Sequence, residues 1–444
     1  MSGWAVARPP AKTISLLVLL LGALLIGIAV PREPVFAFAG VIGLTICLFA
    51  IIFPVGTGYW LLALSAISIQ YVFEIEVMGL DLQSFYKFGI ILLSVPAMVR
   101  FGIHRARAAP IAAVFLIFVL TYLFADRHPM LSASAPVVTL IGMSAPFIFL
   151  LIRWPERVTE KHIRLLCLLP AISVGIGAAF HLTGLYPVSV TEYNGAFRLQ
   201  GANIPPHLAF LAFVAFFASM VAVKRFPRHM LAYYALMGAN FLIMLLTGTR
   251  GALVAALAMV LAFAFDLLKQ FLKGKTAVIV PLVGFIAILA LSVALQWDNI
   301  MKRSFGQTDT EVNLSGRTEA WEFFLSGVKD SPWFGRGLGA VLVSNDGTID
   351  KSFSVPHNEY IRFYYDGGIV GATLLFGALL LVFFEAYRKA PRDIRLCLAA
   401  FLVGFAVYSF SDNTISSIQF IVPFCVCLNA IANLTHTHSR RNPR

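Results

Sequence analysis

Charge is the scarce ingredient of this chain. Asp, Glu, Lys and Arg make up 13% of its 444 residues, roughly half of what a soluble domain carries, so a surface that faces water all round is excluded. Acid is scarcer than base, with 22 Asp and Glu against 34 Lys and Arg. The cysteines are few and poorly placed for cross-linking. Cys47, Cys167, Cys397, Cys425 and Cys427 all lie inside apolar runs, so no disulfide framework is expected. Cys425 and Cys427 are spaced CxC, not CxxC, and read as packing residues. The sequence has no repeat of roughly 20–50 residues, which excludes a solenoid. Its two halves also lack the matching broken helices of an inverted-repeat transporter.

What the chain has in abundance is apolar sequence. Hydrophobic residues are 59% of the total and gather in runs at 14–30, 35–53, 59–75, 86–99, 109–125, 136–152, 164–183, 206–223, 230–248, 251–268, 277–296, 367–387, 394–411 and 414–434. Most approach the ~20 residues that a helix needs to cross hydrocarbon. In lipid a chain must satisfy its own backbone polar groups, which makes these runs helices. The expected fold is an all-α polytopic membrane protein of about 14 transmembrane helices. The count falls to 12 or 13 if the short runs at 59–75 and 86–99 or the tight 411–414 joint are read differently.

Lysine and arginine give the orientation. With gaps numbered alternately from an inside N-terminus, 22 of the 34 cations fall in inside segments and seven in the long block 297–366. Only five (Arg32, Lys87, Arg127, Arg198 and Arg250) serve all the short outside loops. That bias predicts cytoplasmic termini and an external block. Residues 1–30 have the basic start and apolar run of a signal peptide, but the many spans that follow make an uncleaved first helix the expectation. The net charge of +12 is thus mostly topological. It is spread over many loops and forms no stripe, which argues against a nucleic-acid partner.

Three parts follow: residues 1–296 with about 11 helices and an external loop at 184–205, residues 297–366 as a long, largely helical external loop, and residues 367–444 with about three helices and a cytoplasmic tail. Long loops are usually functional, so chemistry is sought in 297–366. Ser315 is expected to cap a helix whose apolar face holds Ala320, Trp321, Phe324, Leu325 and Val328. Asp330-Ser331-Pro332 should stop it. Gly335, Gly337 and Gly339 form a strip that reads as turn-forming, or less readily as an anion nest. Pro356 is expected to open a second helix, stiffened by Glu359–Arg362 or Arg362–Asp366 pairing.

His357 is the sharpest candidate for chemistry. It is expected at a helix start, where the dipole disfavours imidazolium and leaves a base able to accept a proton. Arg198, Arg250 and Arg317 are the external arginines suited to bidentate binding of phosphate oxygens, or else to snorkelling. Asp309 and Glu311 read as a solvated acidic turn more readily than as a cation site. Asp412 and Asn413 read as helix ends.

Together TGTRG (Thr247 to Gly251), GRTEAW (Gly316 to Trp321), DSPWFGRGLG (Asp330 to Gly339) and HNEYIRFYYDGGIVG (His357 to Gly371) resemble the O-antigen ligase/polymerase family of bacterial inner-membrane glycosyltransferases. His357, Asn358, Gly368 and Gly371 fit its histidine signature, and FRLQGANIPP in loop 184–205 and just beyond is similar to its other external loop. The resemblance implies an inverting, metal-independent transfer on the periplasmic face, without a cofactor. The donor would be an undecaprenyl-diphosphate-linked glycan and the acceptor lipid A–core or another glycan. It further implies that Arg250, Arg317 and Arg198 hold the diphosphate, that His357 acts on the acceptor hydroxyl, and that Asn358, Glu359, Gly368 and Gly371 support it. A ligase is the first expectation because the histidine signature fits without a gap. A polymerase joining lipid-linked repeat units is the alternative. A polysaccharide-lipid transporter, suggested by the many spans alone, is the third; it should line mid-membrane cavities with charge, whereas the strongest polar set lies at one rim.

Overall fold

The computed structural model describes residues 34–77, 80–192, 195–305, 317–345, 347–349 and 355–434. The chain is predominantly helical. Its first part holds α1 (Pro34–Ile52), α2 (Pro54–Leu64), α3 (Ile69–Phe73), a small hairpin of β1 (Glu76–Val77) and β2 (Leu80–Asp81), α4 (Leu82–Phe101), α5 (Ala109–Phe124), α6 (Ala135–Ser144), α7 (Ile148–Leu151) and α8 (Glu156–Leu182). A second hairpin, β3 (Ser189–Thr191) with β4 (Phe197–Leu199), precedes α9 (Pro205–Arg225), α10 (Met230–Leu246), α11 (Arg250–Leu272), α12 (Ile279–Leu295) and α13 (Trp297–Phe305). The last elements are α14 (Arg317–Gly327), α15 (Glu359–Lys389), α16 (Arg395–Ser411) and α17 (Ile418–Asn433).

Among the described residues seven helices are long and apolar enough to cross a membrane, and five shorter apolar helices of 10–17 residues accompany them. This is the architecture of an all-α polytopic membrane protein. The expected count of about 14 is not reached within the described residues. The run 14–30, with the N-terminus, lies outside them, as does the C-terminal tail from 435. The run 59–75 is two short helices, α2 and α3, and not one span. Its serines explain the break: Ser65 Oγ donates to Leu62 O at 2.6 Å, and Ser68 N donates to Ala202 O at 2.9 Å. Serine that bonds backbone locally competes with the helix ladder.

The core is built on α9 and α17. Both are apolar around their whole circumference, and such helices bury every face. The α9 sequence runs buried from Leu208 to Val223, and α17 is buried from Ile418 to Ala432. Phenylalanines fill the space between them and α16: Phe217 stacks on Phe401 at 4.1 Å between centroids, and Phe405 on Phe424 at 4.8 Å. Outward faces of α5, α11 and α12 leave Phe115, Leu123, Val254, Leu261 and Val280 exposed, as lipid-facing helices do.

Small residues let the helices beside the site approach closely, as membrane packing favours. A Cβ on Gly404 of α16 would lie 2.7 Å from the Ala255 carbonyl oxygen of α11, whereas a Cβ on Gly377 of α15 would meet nothing within 4 Å. Gly404→Leu is therefore expected to lower the melting temperature in detergent and the folded yield, and Gly377→Leu to leave both near wild type. Equal melting for the two variants would show that the α11–α16 contact is not required.

Candidate active site

Ends of α11, α15, α16 and α17 meet at one end of the bundle beside α14 and the β3–β4 hairpin, and the candidate residues lie there. His357 lies just ahead of α15. The helix starts at Glu359 with Asn358 as its N-cap, three residues later than Pro356 would have it. The reason is chemical: Asn358 Oδ1 accepts from Tyr360 N at 3.0 Å and Ile361 N at 3.2 Å, satisfying N–H groups that the helix leaves open. His357 itself has φ 48°, the left-handed region that only glycine adopts freely. Such strain persists where the surroundings fix it.

The surroundings are the joint between α16 and α17. Glu359 is fully buried, and its Oε1 accepts from Ile415 N at 2.7 Å, Ser416 N at 2.8 Å and Ser416 Oγ at 2.9 Å. This clamp brings Asp412 Oδ1 to 3.4 Å from His357 Nδ1. The Asp412 side chain is 6% exposed and that of His357 31%, so the carboxylate is inside and the imidazole reaches out. Burial alone would raise the Asp412 carboxyl. The hydrogen bond and charge of His357, the Arg317 guanidinium and the Asn413 N–H outweigh it and hold Asp412 below the ordinary carboxylate range. Asn413 Nδ2 also faces His357 Nδ1 at 3.2 Å, while Asn413 Oδ1 is buried with no hydrogen-bond partner. Turning that amide over would let Oδ1 accept from Nδ1–H, the tautomer that the Asp412 carboxylate also favours. The lone pair is then on Nε2.

Arg317 is the first described residue of α14. Trp321, one turn on, donates from Nε1 to Pro356 O at 2.8 Å and packs edge-on against Phe410 at 5.2 Å. Ala320, Phe324 and Val328 are buried as the apolar pattern predicts, whereas Leu325 is 42% exposed. The helix thus docks on the protein, with Arg317 within electrostatic reach of Asp412 and Tyr408. Arg250 is the first residue of α11. A Cβ on its neighbour Gly251 would stand 2.2 Å from Ser411 Oγ, so Arg250 sits against the residues that lead into Asp412.

Arg198, on β4, reaches the turn before Arg250. Its Nε donates to Thr247 O at 2.8 Å and its NH2 to Thr249 Oγ1 at 3.3 Å, while NH1 bonds Glu192 at 2.9 Å. Three guanidinium nitrogens are engaged in bracing that turn and its hairpin. The hairpin pairs Val190 with Arg198.

The glycine motifs are structural. Gly335, Gly337 and Gly339 have φ of 68°, 105° and 89°, and their strip lies against α15. The N–H groups of Gly339 and Val341 donate to the Asp366 carboxylate at 3.0 and 2.9 Å. Arg336 N and Gly337 N donate to the carbonyls of Tyr365 and Asp366. The anion held by this strip is thus the chain's own. Gly368 kinks α15 at φ 63°, ψ −166°, where a Cβ would be 2.3 Å from Trp333 O, and the freed Ile369 N and Val370 N donate to Pro332 O and Trp333 O. Gly371 packs on Ile117 of α5.

Because Glu359 and Asp366 bind backbone N–H groups, the expected pairs with Arg362 are not hydrogen-bonded; Arg362 is buried between them in charge only. Ser315, Asp309 and Glu311 lie outside the described residues. Among those described, no three His, Cys, Asp or Glu side chains cluster as metal ligands would.

Asp412 is the helix end that the sequence suggests, as the C-cap of α16, but its pairing with His357 was not legible. Its one local signal is that it is the sole acid between Ile394 and Leu434; its partner lies 55 residues away. His207 was missed for the same reason. It lies behind the pair, within electrostatic reach of both, with Nδ1 2.7 Å from Ser68 Oγ.

Residues 232–376 match the family model described as O-antigen ligase. The match takes in Arg250, Arg317, His357, Gly368 and Gly371, while Arg198 and Asp412 lie on either side of it. No curated protein matches the chain. Over residues 232–376, about a third of the chain, the protein is thus similar to the O-antigen ligase family, and its long apolar helices make it a multi-pass membrane protein.

Proposed function

We propose that the protein is an O-antigen ligase-type transferase of the bacterial inner membrane. It moves a glycan from undecaprenyl diphosphate to a lipid A–core acceptor on the periplasmic face, with both termini in the cytoplasm. The observation that carries this reading is the approach of Asp412 to His357 Nδ1 beside Arg317 and the Thr247–Arg250 turn. The pairing leaves Nε2 of a partly exposed imidazole as a base, next to fixed positive charge suited to a diphosphate.

The reaction is one displacement. The acceptor hydroxyl oxygen forms a bond to the anomeric carbon as that carbon's bond to the diphosphate oxygen breaks, and the configuration inverts. His357 Nε2 takes the hydroxyl proton. The electron pair leaves with the diphosphate, whose developing charge Arg250 and Arg317 stabilise in a site arranged beforehand. Arg198 serves mainly by holding the turn that carries Arg250, adding its charge to the same region. Asp412 keeps the imidazole in the required tautomer and stabilises it once protonated, as carboxylates do in comparable pairs.

His357→Ala is expected to abolish transfer in membranes from a strain lacking the native enzyme, with protein level unchanged. Asp412→Asn should lower kcat by up to about 10⁴-fold, the loss seen when the carboxylate that holds an imidazole's tautomer is removed from a comparable pair; wild-type transfer by either variant would overturn the assignment. Arg250→Lys and Arg317→Lys should both fail to restore what the alanine variants lose, because an ammonium cannot reproduce a bidentate fork. Full rescue by lysine would mean that charge alone suffices. A chelator should leave the rate unchanged, and strong inhibition would return attention to Asp309 and Glu311. In a deletion strain, loss of all banding above core is expected; a single-repeat band would identify a polymerase.

A further inference from the structure

A polar hollow lies at the far end of α15. Its walls come from the α4–α5 turn (His104, Arg105), the α7–α8 connection (Arg153) and the last turns of α15 (Glu385, Lys389), and it encloses about 570 Å³. From the kink at Gly368 to Glu385 the helix advances roughly 25 Å at its ordinary rise, which carries this hollow to the end of the bundle away from the His357 site. The cations here belong to the set expected on the cytoplasmic side.

The hollow is built, not incidental. His104 N donates to Leu151 O at 2.7 Å and Arg153 N to Gly102 O at 3.1 Å, and Ile103 bridges Ile152, so two loops are tied into one ledge. Its single lining carboxylate is already shared: Glu385 pairs with Arg107 at 3.0 Å and with Lys389 at 2.5 Å. Arg105 and Arg153 have no carboxylate partner among the described residues, which leaves the hollow positive. The His104 imidazole reports the same field. Burial first, then Arg107, Arg153 and Lys389, lower its pKa to about 4 against the opposing charge of Glu385. Its Nε2 is buried with no hydrogen-bond partner.

Residues 100 and 101, next along the chain, line another hollow of about 400 Å³, apolar and flanked by arginine. Phe49, Ile52, Phe53 and Phe101 line it together with Arg100 and Arg157. Phe49, Ile52 and Phe53 are 40%, 52% and 56% exposed. A cationic hollow adjoining an apolar groove fits an anion that carries hydrocarbon, and basic pockets between helices on the cytoplasmic side bind such head groups. A soluble phosphate would use only the first.

We propose that the two hollows form a docking site for an anionic phospholipid of the cytoplasmic leaflet. Its phosphate rests on Arg105, Arg153 and Lys389, and its acyl chains start along Phe49, Ile52 and Phe53. This inference is independent of the transfer reaction, since it concerns the other end of the molecule.

The test uses the full chain in neutral detergent, with bound lipid read by native mass spectrometry. Phosphatidylglycerol should be retained in preference to phosphatidylcholine. The double variant R105Q/R153Q should reduce that retention by roughly tenfold or more, while K273Q/K275Q, which removes equal charge from the α11–α12 turn, should not. K389Q alone should show a smaller loss and serves if the double variant folds poorly. The proposal fails if both lipids are retained equally, if R105Q/R153Q and K389Q both hold phosphatidylglycerol like wild type, or if inorganic phosphate displaces it completely, which would mark a soluble-anion site instead.

Discussion

The fastening of Glu359 to the 415–416 backbone is the constraint on which the site depends. His357 and Asp412 belong to different helices far apart in sequence, and nothing local would bring them together. The Glu359 carboxylate does so by taking three donors from the joint that follows Asp412. Hydrogen bonds to an ionised acceptor are roughly twice as strong as neutral ones. In a buried place these donors count for more, because a carboxylate stripped of them is left uncompensated or must take up a proton. The same clamp fixes the backbone of His357 in its left-handed conformation.

The charged groups share a structural address. Arg250 is the first residue of α11, and His357 stands just before α15. Helix N-termini carry partial positive charge and open N–H groups, so the ends themselves add to the preference for an anion. The rigid parts behind them are the phenylalanine-filled centre and the close α11–α16 contact at Gly404. Together these set the distance between the Thr247–Arg250 turn and the Ser411–Asp412 joint.

Helical character, the apolar runs and the site motifs were legible in the sequence because each rests on local composition. His357, Arg250 and Arg317 stood out as polar groups at the rim of apolar runs, and the structure gathers them at one end. What could not be read was long-range. The break at Ser65–Ser68 depends on Ala202, and the start of α15 at Glu359 depends on Asn358 outcompeting Pro356 as a boundary. Asp412 was legible as a helix end, which it is, but not as a partner of His357, which precedes another helix. Arg198 was legible as a cation, but its attachment to Thr247 and Thr249 required the β3–β4 hairpin, which helix-period reasoning does not suggest. Glu359 and Arg362 had the right spacing to pair along a helix, yet backbone donors from a distant joint claimed the carboxylate.

The glycine strip against Asp366 has one further consequence. A loop whose N–H groups wait for a soluble anion is ordered only when that anion is present, and it responds to ionic strength. Here the counter-charge is covalently part of the chain and sits at a very high effective concentration. The strip is consequently set before anything arrives from outside. Free phosphate or sulfate in the medium finds few open N–H groups there, and the wall beside Tyr365 and Gly368 is held by bonds internal to the chain.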